Sequence, residues 1–452
     1  MMSKKKVLLC ERVVKEDNEL LSLSTRLHYY PLVVSRAEGA KVFDVDGNEY
    51  IDFLSGAATT NIGHRHPEVV KAIKEQCDLF IHNTLAYGYY EVAVKLARKL
   101  VEITPGDFRK RVAFGLSGSD SNDGAIKLAR SYTGRSKIIA FLNSYHGTTY
   151  GALTISGITL NMKRRLGPLL PEIYHVPFPD CYRCLFKLEY PSCGLQCLGF
   201  LKTLFETIVP PEEVAAVITE PIQGDAGVVI PPDDYMIKLT ELCRNYGILF
   251  AVDEIQTGFG RTGKWFAVEH WSLKPDILVM AKAIASGMPL SAIVSKSEIM
   301  EKWKAPAHLF TTQANPLSCV AAITTINVIK KERLLERAKR LGEYTLKRFR
   351  EMMDEHELIG DVRGKGLLIG VDLVKNRETK EPAVKEAHKV DWRAWEKGLV
   401  LIHYGKSVLR IAPPLTISQE EMDKGLSIIE EAIDDVEKGK VSNDVLKRME
   451  GW

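Results

Sequence analysis

Lys282 closes an apolar run in "DILVMAKAIASG", residues 276–287, and small residues follow it. A lysine is seldom fully buried without a partner, and at a strand end its ammonium ordinarily turns out to water. The other reading is a desolvated amine with a lowered pKa, able to form a Schiff base with a carbonyl. Further polar groups occupy the same kind of position, each just after a short apolar segment. Asp253 ends "GILFAVD", and Gln256 stands three residues on. Gly118 and Ser119 lie in "GLSGSDSNDG", ahead of the helical pattern "AIKLARSY". Tyr145 and His146 lie in "NSYHG", after "KIIAFL". Singly, each has a plain structural explanation: a strand-end turn former, a helix N-cap, a core aromatic.

The elements that must position these groups alternate. From about residue 67, helical periodicity in "HPEVVKAIKEQCDLF" and "YYEVAVKLARKLVEI" gives way to short apolar strands between helices. The strands are "RVAFGLSG", "KIIAFLNSYHG", "VAAVITEPIQG", "GILFAVDEIQTG", "DILVMAKAI" and "PLSAIVS". This alternation predicts an α/β domain with a largely parallel sheet covered by helices on both faces. Such sheets bind ligands at the carboxyl ends of their strands, where the polar groups above fall. Residues 30–60 read as short strands with a hairpin signal at "VDG". From about residue 318 the pattern changes to one long helix over 318–356, a strand pair over 360–374, a helix over 382–398, short strands and a last helix from about 418. The expected organisation is residues 1–66 joining a smaller α+β domain, 67–330 forming the large domain, and 331–452 completing the small one.

The 452 residues are 45% hydrophobic and 26% charged, with a net charge of +3. That balance is ordinary for a soluble globular protein and offers no argument for nucleic acid or an anionic membrane as partner. The start "MMSKKKVLLCERVVKEDNE" carries a basic trio but too short an apolar stretch for a secretory signal or a membrane span, so a cytoplasmic location is expected. Cys181, Cys184, Cys193 and Cys197 crowd into "CYRCLFKLEYPSCGLQC", a spacing open to disulfides, a metal site or free thiols. Disulfides in a cytoplasmic protein, together with only six glutamines, would lean towards a thermophile. "GFGRTG", residues 258–263, matches G-x-G-x-x-G, but "DEIQT" separates it from its strand and no clear helix opens after it. A turn near the site is the better reading than a dinucleotide fingerprint.

Pyridoxal phosphate asks for this set of groups: a lysine, a carboxylate at the pyridine nitrogen, amides and hydroxyls for the phosphate, and an aromatic against the ring. In order along the chain, "SGSDSNDGAIKLAR", "SYHGTTYGAL", "EPIQGDAG", "AVDEIQTGFGRTGKWFA", "ANPLSC", "VRGKGLLIGVDL" and "LRIAPPL" resemble the class III aminotransferases, from about residue 30 to 435. The resemblance implies the fold type I architecture of pyridoxal-phosphate-dependent transferases, with a mostly parallel seven-stranded sheet in the large domain. It implies that Lys282 carries the cofactor, Asp253 pairs with the pyridinium nitrogen and Gln256 meets the ring oxygen. It further implies that Gly118 and Ser119 hold the phosphate, Tyr145 stacks on the ring beside His146, and Glu220 and Gln223 line the cleft. Thr311, in "LFTTQANP", resembles a threonine reaching the neighbouring subunit's phosphate, which implies a homodimer or a dimer of dimers. Arg410 resembles the arginine that grips the substrate carboxylate, a role suited to its planar fork.

The departures from the family pattern matter as much. Asp120, Asp123 and Gly124 stand where glutamates are usual in the phosphate-loop motif. "EPIQGD" ends in Asp225 rather than glutamate, and Thr312 replaces an aromatic. These features resemble the isoleucine-epimerase type of racemase within the family. Transamination needs an acid/base group on one face of the substrate carbon, whereas racemisation needs one on each. Asp225 is the candidate for the second; the plain alternative is a turn aspartate. The expected function is racemisation or epimerisation of neutral amino acids. Amino transfer to 2-oxoglutarate or pyruvate is the alternative, and a non-catalytic protein on this fold is a third.

Overall fold

The computed structural model describes residues 8–448, so the basic trio Lys4–Lys6 lies outside the described residues. The chain divides into two compact units: Pro67–Leu335, and Met1–His66 together with Glu336–Trp452.

The Pro67–Leu335 unit is built on seven strands: β1 (Lys110–Gly115), β2 (Lys137–Phe141), β3 (Ile173–Val176), β4 (Val214–Thr219), β5 (Leu249–Asp253), β6 (Ile277–Met280) and β7 (Ser291–Lys296). Their order across the sheet is β1-β7-β6-β5-β4-β2-β3. Only β7 runs against its neighbours, pairing antiparallel with both β1 and β6. This is the mostly parallel seven-stranded sheet expected. Every residue of β4 and β5 is buried, as in a sheet covered on both faces, where side chains of either parity must be apolar.

Helix α1 (Gly118–Thr133) follows β1. Its start is set by a capping box: the Ser117 hydroxyl accepts from the Asp120 amide, while the Asp120 carboxylate accepts from the Ser117 amide. Its end is Gly134, at a left-handed φ of 68°. Between them Ala125, Ile126, Leu128 and Ala129 pack on Ile138, Ala140, Ala216, Ile218, Ile277 and Val279 of the sheet. Burial of each isoleucine or leucine there contributes about 1.5–3 kcal/mol. Because α1 is clamped along its length, its first turn is a fixed platform.

The other unit holds two small sheets. Strands Val34–Glu38, Lys41–Asp44 and Glu49–Asp52 form an antiparallel meander, with Leu399–Val400 added in parallel. Asp44 closes the "VDG" turn by accepting from the Asp46 and Asn48 amides. In the second sheet, Leu368–Asn376 lies between Ile359–Lys365 and Val408–Ile411, and His403–Tyr404 pairs on the far side of the latter.

Three features differ from the sequence reading. The long helix over 318–356 is two helices, Pro316–Lys331 and Leu334–Glu355, broken at Arg333 with φ 53°. The first is apolar and packs against the helices Pro67–Leu79 and Glu91–Ile103; the second is amphipathic and belongs to the other unit. No glycine or proline marks the break, so periodicity runs through it. Strand β3 was not anticipated, because "IYHV" is short and only partly apolar. Helix Leu8–Leu20 was missed because its cap is remote: the Leu9 and Cys10 amides donate to the Asp46 carboxylate.

All eight cysteines are free thiols, and the described residues hold no group of three or more His, Cys, Asp or Glu side chains placed for a metal ion. Burial pushes the Cys181 and Cys197 thiols up to about 11. Residues 258–263 form a turn with no long helix behind it. No helix of the described residues is long and apolar enough to cross a membrane.

Candidate active site

Strand register brings the candidate residues to one edge of the large sheet. Thr219 of β4 pairs with Val252 of β5, so Glu220 and Asp253 end adjacent strands at the same level. Asp253 pairs with Val279 of β6, three residues before Lys282. Ile139 pairs with Val217, which places the Tyr145–His146 loop beyond the same end of β2. The reversed β7 aligns Ser291 with Gly115 and Ala292 with Met280, so the start of α1 leaves from that edge too.

Asp253 is the most heavily tied of these groups. Its Oδ2 accepts from Asn122 Nδ2 at 2.8 Å and lies 2.7 Å from His146 Nδ1; its Oδ1 accepts from the Ile255 amide at 3.0 Å. Asn122 Nδ2 also donates to the His146 carbonyl at 2.8 Å. The carboxylate is therefore held by α1, by the loop after β2 and by its own turn. Asn122 was not singled out from the sequence; its position in "SGSDSND", four residues after Gly118, is the signal that could have pointed to it. Three buried polar atoms here have no protein partner: His146 Nε2, Asn122 Oδ1 and Gln256 Oε1.

Two more carboxyls lie close by. Glu220 is buried; its Oε2 accepts from the Tyr145 amide and its Oε1 from the Gly224 amide. Burial, and then the nearby Asp253 and Asp225, push its carboxyl well above the usual range. Asp225 is buried and accepts from Gln256 Nε2 at 3.2 Å. The close approach explains Gly224: a Cβ there would sit 1.5 Å from Gln256 Oε1. Burial and Asp225 raise the Tyr145 phenol. Gln223 Nε2 donates to the Leu142 carbonyl at 2.9 Å.

Lys282 opens a short turn, Lys282–Ala285, and is partly buried with φ 47°. A left-handed backbone at a residue with a Cβ costs about 1–3 kcal/mol and persists only where its surroundings impose it. Buried Ala283, Ile284 and Ala285 do so from one side, and Ser286 Oγ, 2.8 Å from Thr325 Oγ1, ties the turn to helix Pro316–Lys331.

Gly118 and Ser119 are the first two residues of α1, whose opening amides have no acceptor within the helix. Ser117, not Ser119, is the cap. The Ser119 hydroxyl accepts from the Thr148 and Thr149 amides, both at 2.9 Å, and so joins the helix start to the "SYHGTT" loop. Gly147, at φ 127°, permits that contact: a Cβ there would lie 2.3 Å from Ser119 Oγ.

The structure therefore gathers Gly118, Ser119, Tyr145, His146, Glu220, Asp225, Asp253, Gln256 and Lys282 at one sheet edge. Thr311 is exposed on the 304–313 loop, and Arg410 belongs to the other compact unit.

The chain is similar to known proteins over most of its length. The family described as "Aminotransferase class-III" matches residues 23–433. The leucine/methionine racemase of Thermococcus litoralis is 49% identical, over 98% of this chain and 99% of its own. The isoleucine 2-epimerase of Lentilactobacillus buchneri is 45% identical, over 95% and 96%. Among solved structures, a PLP-bound amine transaminase from an uncultivated Pseudomonas species superposes with a TM-score of 0.84 at 29% identity, over 89% of this chain and 94% of its own. A family match over residues 23–433, with relatives 45–49% identical over nearly the whole chain, shows that the chain belongs to the class III aminotransferase family.

Proposed function

We propose that this protein racemises or epimerises neutral amino acids with pyridoxal phosphate. The residues present fit that cofactor. A carboxylate fixed by three hydrogen bonds, a buried Gln256 oxygen without a protein partner and a glycine-led helix start lie beside a lysine in a strained turn. Lys282 would hold the cofactor covalently, Asp253 its ring nitrogen, Gln256 its ring oxygen, Gly118 and Ser119 its phosphate, and Tyr145 its ring face. When bound, the cofactor supplies an electron sink that acidifies the substrate Cα–H.

The chain's own residues then decide the outcome. Lys282 takes or returns the Cα proton on one face. Asp225 holds or returns it on the other. His146 and Asn122 keep Asp253 oriented, and Glu220 fixes the Asp225 turn through the Gly224 amide. Arg410 binds the substrate carboxylate. The observation that carries the racemase reading is Asp225, a buried carboxylate distinct from Asp253 and Glu220 and hydrogen-bonded to the proposed cofactor ligand Gln256. The expected homodimer is part of this proposal, with Thr311 directed to the partner; the exposed apolar side chains Leu79, Ile81, Tyr87 and Tyr89 support it.

Incubation of the holoenzyme with single L-amino acids, without keto acid, followed by chiral chromatography, tests the reading. The expected result is the D-form with no keto-acid product, and about 10²-fold slower racemisation in Asp225→Ala, with half-transamination less affected. Amino transfer that requires a keto acid and leaves configuration unchanged would return the protein to the aminotransferase reading. Equal loss of both activities in Asp225→Ala would remove Asp225 as the second base.

A further inference from the structure

Arg410 is one of the two largest wholly buried side chains that carry a formal positive charge, the other being Arg261. A buried guanidinium is costly unless its geometry is fixed and its protons are used. Tyr404 does much of that fixing. Arg410 Nη2 donates to the Tyr404 hydroxyl at 2.6 Å, and the guanidinium carbon lies 3.6 Å from the centroid of the same ring. One side chain thus covers a face of the guanidinium and also engages one of its nitrogens.

Tyr404 is itself held from behind. It sits on the two-residue strand His403–Tyr404, opposite Val408 in the hairpin that carries Arg410. The preceding His403 is locked to helix Val384–Lys397 by Asp391, whose Oδ2 accepts from the His403 amide at 2.9 Å and lies 2.5 Å from its ring Nδ1. Asp391 and His403 are both buried. The Tyr29 hydroxyl donates to the His403 carbonyl, fixing the peptide that leads into Tyr404.

We infer that Tyr404 is the positioning residue for Arg410: it sets the plane and rotation of the guanidinium, and so the direction in which the fork meets a carboxylate. This rests on the reading of Arg410 as the substrate-carboxylate ligand and adds the residue that pre-orients it. A planar fork gains over an ammonium only if its plane is already correct on arrival of the ligand. Stacking restricts rotation of the plane about axes within it, and the hydroxyl restricts rotation within the plane. Tyr404→Phe keeps the first constraint and loses the second; Tyr404→Leu loses both.

The test uses holoenzyme and two unreactive or truncated probes, with binding followed by the cofactor absorbance. 4-Methylpentanoate has a carboxylate and no amine; 3-methylbutylamine has an amine and no carboxylate. Arg410→Ala should weaken 4-methylpentanoate about 10²-fold. Tyr404→Phe should weaken it about tenfold, and Tyr404→Leu several-fold further, with 3-methylbutylamine affinity unchanged in both. With an α-amino acid that turns over, the two Tyr404 variants should raise KM by the same factors and leave kcat within about twofold. Wild-type-like affinity for 4-methylpentanoate in Arg410→Ala, or no binding by the wild type, would overturn the Arg410 reading and this inference with it. A strong effect of Arg410→Ala with none in either Tyr404 variant would overturn the inference alone. Equal weakening of the acid and the amine would assign Tyr404 to folding only and overturn it as well; thermal melts of each variant identify that case independently.

Discussion

Asp253 and Glu254 are adjacent carboxylates at one strand end, and their surroundings differ completely. Side chains alternate across a strand, so neighbours address opposite faces. Asp253 meets His146 and Asn122, groups brought in from the loop after β2 and from α1. Glu254 accepts from the Thr257 hydroxyl and from the Ala267 and Val268 amides, all in the segment that follows it. One carboxylate is anchored to remote elements and borders the proposed cofactor ligands. The other closes the loop containing "GFGRTG" back on its own strand. Residue type alone does not separate a candidate cofactor carboxylate from a structural clamp; the partners of Asp253 and Glu254 differ.

Three substitutions would sharpen or break this contrast. The largest effect belongs to Asp253→Asn, which should lower turnover at least about 10²-fold in the chiral assay. Near-normal turnover would dissolve the functional half of the comparison. Next is the pH dependence tied to Glu254. Burial pushes its carboxyl up to about 7 from an ordinary 4.5. A carboxyl whose pKa is raised by folding contributes its full stability below the unfolded value and loses it as pH rises through the folded one. Stability should therefore fall by up to about 3 kcal/mol between pH 4.5 and 7 on this account. Glu254→Gln should flatten that fall in urea titrations while lowering stability overall, since one amide loses its acceptor; an unchanged pH slope would contradict the assignment. The smallest effect is that of Asn122→Ala. Loss of one donor to a buried carboxylate costs about 1–3 kcal/mol, so cofactor affinity should fall roughly tenfold or more in equilibrium dialysis. No change would mean that His146 and the Ile255 amide suffice to hold Asp253.

Much of this was legible in the sequence because it is local. The apolar segments that became six of the seven strands, the capping signals of "SGSD" and the strand-end position of Asp253, Glu220 and Lys282 follow from short-range patterns. The break at Arg333 was not legible, because both helices carry unbroken helical patterns and the change is in what each packs against. Helix Leu8–Leu20 escaped because Asp46, its capping group, comes from a distant turn. Ser119 was readable as a cap, yet Ser117 takes that role and Ser119 joins two loops instead. The cysteine spacing left three chemical states open, and the structure contains free thiols.

By itself the sequence determined most of the elements, the family and the candidate reactive groups: an amine, several carboxyls and a glycine-led helix start. Only the tertiary structure decided which groups hold which. Asp253 draws its partners from 131 and 107 residues away, and Arg410 is steadied by a tyrosine whose own strand is pinned by a buried aspartate. The physical reason is that periodicity and turn chemistry act over a few residues. The orientation of a buried charge depends instead on the donors and aromatic faces that strand register and helix packing deliver to it.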